Sequence, residues 1–362
     1  MGRRLASLFV AALLTAQPAA VMAQAVPAVT MMPAADAFFT DPALGETRAL
    51  IVMQDGQRIH ERYAPGYGPG TRLISWSMAK SITSTLIGIL VADGRLELDV
   101  PAPVPEWRKK AGDPRARITL RQLLHMASGL QHTETGPDPE KSDTNRALFA
   151  DTSADIYAAA VAAPAESAPG ARFEYSTLTS HILARIVADT IAPQAKTPAA
   201  RRAAVRDFIA KRLAVPAGMP SLLCEYDPQG TLLGGSLCHA TARDWAAFGQ
   251  MYLDSGVVAG RQVVSRDWVH FVTTPSPQNP GYGGHFWLNR DQGAGRQAAL
   301  FPQAGPPDAF AAIGHLGQSV IVVPSRRLVV VRLGKTQDEA LAPVRAALGR
   351  LVNAQIPKEP RQ

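Results

Sequence analysis

The chain of 362 residues is poor in the features that mark several specialised protein classes. It has two cysteines, 6% aromatic residues and 19% charged residues, and Gly and Pro number 29 each. These values exclude a disulfide-dense small scaffold, a collagen-like repeat and a disordered chain. The hydrophobic content of 46% is instead enough to bury one large core or two.

Long apolar runs are also missing. No uninterrupted apolar stretch reaches the roughly 20 residues that a membrane-spanning helix needs. Residues 1–23 join two arginines to a short apolar run and end in small residues, which predicts a cleaved secretory signal peptide. We therefore expect a periplasmic or secreted protein that keeps no stable membrane anchor after cleavage.

The chain has a formal charge of +7, but its basic residues do not form the cluster that nucleic-acid binding needs. The signal segment carries two of the arginines and no acid, and the remaining Lys and Arg are scattered without interleaved aromatic residues. Such a diffuse surface favours solubility over nucleic-acid binding. No metal site and no cofactor are predicted, because the histidines show no HExxH pattern and no pairing with cysteine.

The two cysteines, Cys224 and Cys238, flank a turn at residues 227–230. In an oxidising compartment this spacing favours a disulfide that staples the loop. Two free buried thiols are the alternative, since sequence does not give the distance between the two side chains.

Apolar patterns predict strands near both ends of the chain and helices between them. Alternating or β-branched runs predict strands at 49–53, 57–63, 318–323 and 328–333, and a closing helix at 338–351. We expect an α/β (α+β) protein with an antiparallel sheet flanked by helices and an inserted all-helical domain. The sheet domain takes residues 24–117 and 269–362, and the helical domain takes 118–268. Helices are predicted at 77–92, 120–126, 154–163, 177–191, 199–215 and 240–253.

Ser77 and Lys80 form a Ser-x-x-Lys pattern at the start of a helix whose second half is apolar all round. Positions i and i+3 share a helix face, so the amine lies beside the hydroxyl. A lysine on such a helix is partly desolvated, which lowers its pKa and favours the neutral amine that can activate a serine nucleophile. The alternative is an N-capping serine with an exposed lysine.

The segments around this pattern resemble the serine β-lactamase/penicillin-binding-protein superfamily. Within it the chain is most similar to class C β-lactamase-related esterases and 6-aminohexanoate-dimer hydrolases. The resemblance covers about residues 45 to 350 and implies that family's fold, with the active site in the cleft between the two domains. The matching segments, in the family's order, include LISWSMAKSITSTLIGILVADGRLELDVPAPVPEW, ITLRQLLHMASGL, PGARFEYSTLTSHILARIV, VPAGM, EYDPQGTLLGGSLCHATARDWAAFGQMYLDSG and GHLGQSVIVVPSRRLVVV.

The resemblance implies that Ser77 is the acylated nucleophile and Lys80 its base. Tyr175 lies where the family has a tyrosine that relays protons, and a phenol beside an ammonium is expected to have a lowered pKa. A structural aromatic at a helix start is the alternative for Tyr175. The family often has Asn two or four residues after this tyrosine, where this chain has Thr177 and Thr179. We expect Thr177 at the substrate, without the paired donor and acceptor of an amide.

The family's Lys-Thr-Gly motif is replaced here by His-Leu-Gly, residues 315–317. His315 and Gly317 are predicted to face the substrate, and a glycine leaves room for it to approach the strand. An imidazole in place of a permanent cation favours uncharged substrates over β-lactams, although a strand-edge histidine with a structural role is the alternative. The backbone N–H of Gln318 is expected to join that of Ser77 in the oxyanion hole.

These inferences predict a serine hydrolase that works through a covalent acyl-enzyme on small esters or amides, among them linear amides or D-amino-acid peptides. The absence of a Gly-x-Ser-x-Gly elbow argues against the α/β-hydrolase route to that chemistry. Two alternatives stay open. One is a true β-lactamase or D-alanyl-D-alanine carboxypeptidase, and the other is a penicillin-binding sensor that is acylated without turnover. The tryptophans Trp245, Trp268 and Trp287 are expected in the core, with one of them lining the cleft.

Overall fold

The computed structural model of the chain describes residues 31–293 and 297–355. The predicted signal peptide lies outside these residues. Within them, no helix is both long and apolar enough to cross a bilayer. The helices are α1 Met31–Thr40, α2 Ala79–Ala92, α3 Leu120–Leu124, α4 Asp143–Phe149, α5 Ile156–Ala162, α6 Thr177–Ile191, α7 Pro198–Ile209, α8 Ala242–Leu253, α9 Arg266–Thr273 and α10 Asp338–Asn353.

The strands are β1 Glu46–Gln54, β2 Gln57–Tyr63, β3 Leu73–Ile74, β4 Leu223–Cys224, β5 Cys238–Ala240, β6 Val257–Val258, β7 Arg261–Gln262, β8 Trp287–Leu288, β9 Phe310–Gly314, β10 Gln318–Val323 and β11 Leu328–Lys335. A six-stranded antiparallel sheet is the centre of the molecule, in the order β2-β1-β11-β10-β9-β8. Segments from both ends of the chain meet in it, because β1 pairs with β11. The predicted mixed α/β class with an antiparallel sheet flanked by helices is confirmed.

Both faces of the sheet are buried, which explains why β10 and β11 are continuous apolar runs rather than alternating ones. Successive side chains on β11 point to opposite faces. Val330 packs in a cluster with residues of α1 and α10, whereas Val329 and Val331 belong to the larger core that includes α2 and α8. The buried helix α2 therefore lies on one face, and the terminal helices cover the other.

The helical middle of the chain follows the predicted pattern with local differences. The predicted helix at 177–191 agrees with α6, whereas the one at 199–215 is α7 followed by a π-helical turn at Ala210–Ala214. Three helices, α1, α4 and α9, had no sequence prediction. The division into two domains at residues 117 and 268 stays a prediction.

Cys224 and Cys238 are joined in a disulfide, the pairing that the sequence favoured. They lie opposite each other on β4 and β5, which form a small sheet with β3. The backbone of Cys238 accepts a hydrogen bond from Ser75 N at 2.7 Å, and its N–H donates to Ser75 Oγ at 3.1 Å. The bridge therefore supports the segment that leads directly into Ser77.

Candidate active site

Ser77 lies in a short 3-10 turn, Trp76–Met78, that leads into α2. The turn begins with Trp76 in the left-handed region at φ 45°, which a bulky residue seldom adopts. The helix behind it is buried on all sides because its apolar residues face both the sheet and the helical middle. Gly88 allows Trp268 to pack directly on the helix, since a Cβ there would lie 2.4 Å from the indole ring.

Lys80 is buried, with 1% exposure, and its amine donates three hydrogen bonds. The acceptors are Ser77 Oγ at 3.1 Å, Thr177 Oγ1 at 2.7 Å and the carbonyl of Gly235 at 2.8 Å. Burial lowers the pKa of the amine to about 8, although the charge of Glu134 works in the opposite direction. A substantial share of Lys80 is therefore neutral near pH 8 and can accept a proton from the serine.

Gly235 reaches Lys80 because it has no side chain. A Cβ at this position would lie 2.8 Å from Thr177 Cγ2 and 3.0 Å from the Thr177 carbonyl oxygen. The segment after β4 therefore approaches α6 closely enough for its carbonyl to hold the third proton of the Lys80 ammonium.

Glu134 lies beside Thr177 and Lys80, and it was not among the residues predicted from the sequence. Its carboxylate accepts hydrogen bonds from Thr177 Oγ1 at 2.6 Å and from Thr177 N at 2.7 Å. It also contacts His132 Nε2 at 2.6 Å and accepts from Thr144 Oγ1 at 2.9 Å. Burial acts to raise its pKa, but Lys80, His132 and Thr177 outweigh burial and hold the pKa at about 2. Glu134 is therefore a permanent negative charge linked to Lys80 through one hydroxyl.

Only a weak sequence signal could have identified Glu134. It lies in a polar stretch after the Ser-Gly-Leu turn and reads as part of an exposed loop. The α6 N-terminus that it caps begins 43 residues later in the chain. A carboxylate is favoured at such an N-terminus, but sequence alone does not bring the two segments together.

Thr177 is fully buried, and its hydroxyl accepts from Lys80 while it donates to Glu134. Thr177 is the first residue of α6, and Lys80 and Glu134 lie on either side of its hydroxyl. The predicted contact of Thr177 with substrate stays a prediction. Thr179 is buried as well. The structure therefore makes Thr177 a partner of the lysine.

Tyr175 lies beside the lysine, with its ring centroid 4.8 Å from Lys80 Nζ. The ring stacks on Trp287 at 5.4 Å and meets Tyr282 edge-on at 6.1 Å. The expectation of a lowered phenol pKa is wrong. Burial raises the pKa first and the Glu134 charge raises it further, while the hydrogen bond with Ser77 lowers it only in part. Tyr175 is thus a protonated phenol that can donate.

Two buried histidines surround the lysine from other elements. His181 follows Thr177 by one turn of α6, and burial together with Lys80 lowers its pKa to about 3. His285 Nδ1 lies 3.2 Å from the Lys80 carbonyl oxygen, and the same two causes lower its pKa to about 3. Both imidazoles are therefore neutral around the catalytic pair.

A turn at residues 315–317, between β9 and β10, lies next to the nucleophile segment. His315 is exposed, and its ring meets Trp76 edge-on at 5.4 Å. The strand before the turn touches the nucleophile segment, since a Cβ on Gly314 would lie 2.2 Å from the Ser75 carbonyl oxygen. His315 therefore contacts the residue that precedes Ser77, and its predicted contact with substrate stays a prediction.

Gln318 is buried, and its side chain is bonded to backbone groups. Its amide donates to the carbonyls of Gly334 at 2.7 Å and His315 at 3.0 Å, and its oxygen accepts from Gly334 N at 2.9 Å. The side chain is therefore occupied by these partners, and the oxyanion role of the Gln318 backbone N–H stays a prediction. Gly317 has φ 79°, and a Cβ there would lie 2.5 Å from Arg332 Nη1. The glycine is therefore needed for the turn and for the arginine behind it.

Of the three tryptophans that the sequence left open, Trp287 lines the site through its stack on Tyr175. Trp245 and Trp268 are buried in the main core. Among residues 31–293 and 297–355, no group of three His, Cys, Asp or Glu side chains is placed to hold a metal ion.

The chain is similar to known proteins in both sequence and fold. The β-lactamase family model matches residues 45–354. The 6-aminohexanoate-dimer hydrolase of Paenarthrobacter ureafaciens is 26% identical over 81% of this chain and 73% of its own length. A penicillin-binding protein homologue from Caulobacter crescentus has a TM-score of 0.63 at 17% identity, covering 88% of this chain and 96% of its own. A family VIII carboxylesterase has a TM-score of 0.59 at 16% identity, covering 88% and 96%.

These matches confirm the predicted superfamily and the predicted hydrolase class, and they include a 6-aminohexanoate-dimer hydrolase and, on the same fold, a carboxylesterase. Lys80 joins Ser77 and Tyr175 by direct contact, and His315 of the turn contacts Trp76 beside Ser77. The chain therefore belongs to the β-lactamase family.

Proposed function

We propose that the protein hydrolyses small esters or amides through an acyl-enzyme on Ser77. The observation that carries the proposal is the buried Lys80 amine, which lies 3.1 Å from Ser77 Oγ with a pKa lowered to about 8. A neutral amine at this distance is a general base for the hydroxyl.

In the acylation step, Ser77 Oγ attacks the substrate carbonyl carbon while its proton passes to Lys80. The backbone N–H groups of Ser77 and Gln318 hold the oxyanion that forms. Collapse of the intermediate breaks the bond to the alcohol or amine, which takes a proton from Tyr175. Lys80 returns its proton to the phenol at the same time. This order suits a phenol whose pKa is raised, because Tyr175 then acts as a donor and never holds a full negative charge.

Deacylation reverses these steps with water as the nucleophile. Lys80 is again neutral after the alcohol or amine has left, so it can take a proton from water through Tyr175. The water oxygen attacks the acyl carbon, and Ser77 Oγ leaves with a proton. Lys80 thus gives back in each half-reaction the proton that it took there, and Ser77, which loses its proton in acylation, regains one from water in deacylation.

The substrates are uncharged around the scissile bond. The turn at 315–317 offers an imidazole where a lysine would pair with a β-lactam carboxylate, and aromatic rings flank the nucleophile on both sides. These features support esters and linear amides as substrates, with D-amino-acid peptides as a further class. We propose that the enzyme resembles the class C group within the family. The relevant partner is the small-molecule substrate, and the site of action is the periplasm or the medium, where residues 1–23 direct the chain.

The test is p-nitrophenyl acetate hydrolysis by the wild type and by Ser77→Ala, Lys80→Ala and Tyr175→Phe, with intact mass after a fluorophosphonate probe. We expect loss of turnover in all three variants and labelling that requires Ser77. Full activity of Ser77→Ala would refute the proposal. Nitrocefin turnover at comparable rates would favour a true β-lactamase, and a stable adduct without turnover would favour a sensor.

A further inference from the structure

Arg332 is a fully buried arginine that lies behind the turn at 315–317. It follows Leu328 and Val330 on the sheet face that α10 covers, since alternate residues of β11 share a face. Its Nη1 donates to the carbonyls of Gly317 at 3.0 Å and Leu316 at 3.3 Å. The other acceptors are Glu46 O at 3.0 Å, Leu44 O at 3.4 Å, Thr47 Oγ1 at 3.1 Å and Thr336 Oγ1 at 2.5 Å.

All of these acceptors are carbonyl or hydroxyl oxygens. The carboxylate of Glu46, the nearest acid on the same segment, is bonded to Arg48 instead at 2.6 Å. Burial lowers the pKa of Arg332 only to about 10, so the guanidinium is charged at neutral pH. The Glu46 charge raises this pKa without a direct contact. A buried charge whose direct partners are all dipoles is costly to keep, and two of those dipoles belong to the turn at residues 315–317.

The chain makes room for this close approach with two glycines. A Cβ on Gly317 would lie 2.5 Å from Arg332 Nη1, and one on Gly334 would lie 2.8 Å from Arg332 Cζ. Gly317 also has φ 79°, and Leu316 before it has φ 59°. Two successive left-handed residues turn the carbonyls of 316 and 317 toward the guanidinium.

The carbonyl of Gly317 belongs to the same peptide group as the N–H of Gln318. No peptide bond among the described residues is cis, and in a trans peptide the C=O and N–H point in opposite directions. The Gln318 N–H therefore points away from Arg332. On the side of β10 opposite β11 lies β9, whose Gly314 contacts Ser75 at the start of the nucleophile segment.

We propose that Arg332 is a positioning residue that orients and polarises the 317–318 peptide, so that the Gln318 N–H becomes a stronger donor to the oxyanion. A charged donor on the carbonyl draws electron density from the peptide nitrogen, and hydrogen bonds in such a chain strengthen one another. Arg332 acts through this peptide and does not touch the substrate. The inference rests on the acyl-enzyme function proposed above.

The experiment follows a slowly deacylating cinnamoyl ester in wild type, Arg332→Met, Arg332→Lys and the control Arg345→Met. Arg345 lies on α10 and lines the small cavity of about 90 Å³ that also borders the turn. Its replacement removes a positive charge from the same face of the sheet. The readouts are the acylation rate, KM, thermal unfolding, and the vibrational frequency of the acyl-enzyme carbonyl, which falls as hydrogen bonds to it strengthen.

For Arg332→Met we expect acylation slowed about tenfold or more, since loss of a whole oxyanion donor costs about a hundredfold or more. KM should change little, and the carbonyl frequency should rise in the folded protein. Arg332→Lys keeps the charge but loses the guanidinium fork. Its acylation rate and carbonyl frequency should lie between those of wild type and Arg332→Met. If Arg332→Met does not fold, Arg332→Lys is the variant that tests the inference. Arg345→Met should match wild type.

An unchanged carbonyl frequency and acylation rate in a folded Arg332 variant would overturn the inference. That outcome is distinct from failure of the proposed function, which would show as wild-type protein that forms no adduct on Ser77. A frequency shift of equal size in Arg345→Met would also overturn it, because the effect would then come from charge at a distance rather than from the peptide contact.

Discussion

Lys80 and Glu134 share one hydroxyl. The lysine donates to Thr177 Oγ1 at 2.7 Å, and the same oxygen donates to the Glu134 carboxylate at 2.6 Å. The cation and the carboxylate are therefore neighbours without direct contact. This separation keeps the lysine close enough to the acid to be held in place while burial still lowers its pKa. The balance between the two effects sets the pH at which Ser77 can be activated.

The substitution Glu134→Gln should move the acid limb of the pH profile of kcat/KM to lower pH. Glu134 raises the pKa of Lys80, so its loss lowers that pKa further from about 8 and the neutral base persists into more acidic solution. The other groups that face Lys80 are the imidazoles of His181 and His285, which are already neutral, and the protonated phenol of Tyr175. The measurement is the initial rate from pH 5 to 10.

The control for this prediction is Glu140→Gln, which removes an exposed carboxylate from the same polar segment. Its pH profile should match that of wild type. If the limb of Glu134→Gln stays at the wild-type position while the protein remains folded, Glu134 has no electrostatic influence on the base.

Replacing Thr177 by valine should lower kcat by about tenfold to a hundredfold. The change keeps the shape of the side chain but leaves a proton of Lys80 and an oxygen of Glu134 without their shared partner. An unsatisfied buried group of this kind costs about 1–3 kcal/mol, more for charged ones. Thr177→Ser keeps the hydroxyl and should retain most of the activity. Equal activity of the valine and serine variants would show that the hydroxyl is dispensable.

Trp287→Ala should reduce turnover more than Trp287→Phe does. The indole stacks on the Tyr175 ring at 5.4 Å, and an aromatic pair of this kind is worth about 0.5–1.5 kcal/mol beyond its buried area. Without the indole, the Tyr175 ring loses the stacking contact that holds it near Lys80. Steady-state kinetics with a small ester would show a fall in kcat, and a pure rise in KM would instead assign Trp287 to substrate binding.

Removing the disulfide should lower stability and disturb the nucleophile segment together. A closed loop of about 15 residues contributes about 3 kcal/mol in chain-entropy terms, and Cys238 is bonded through its backbone to Ser75. The double variant Cys224→Ser and Cys238→Ser should unfold at lower urea concentration than wild type. Reductant should weaken wild type to the same level and leave the double variant unchanged. Equal urea midpoints of the wild type with and without reductant would contradict this prediction.

Much of the architecture could be predicted from sequence because it depends on local pattern. The β-branched runs of β10 and β11, the alternation of β2 and the uninterrupted α6 each follow from periodicity within a few residues. Ser77 and Lys80 could be identified because one helical turn separates them. The helix α4 was missed because its residues, DTNRALF, carry one short apolar stripe inside a polar segment.

The remaining features depend on contacts between distant segments. Glu134 meets Thr177 across 43 residues, and Arg332 meets Gly317 across the β10–β11 hairpin. The pKa of Tyr175 is raised, whereas a lowered pKa was predicted, because the prediction considered only the neighbouring ammonium. Burial and the unseen carboxylate decide that sign. Each of these follows from the fold and from no single stretch of sequence.

The proposed acyl-enzyme mechanism requires a covalent bond between Ser77 and the acyl group. The measurement is the intact mass of wild-type protein quenched in acid during turnover of a cinnamoyl ester, followed by peptide mapping of the modified residue. We predict one added acyl group, located on Ser77, that is absent from Ser77→Ala and decays at the rate of deacylation. Turnover with no mass increase, or an acyl group on another residue, would contradict the account.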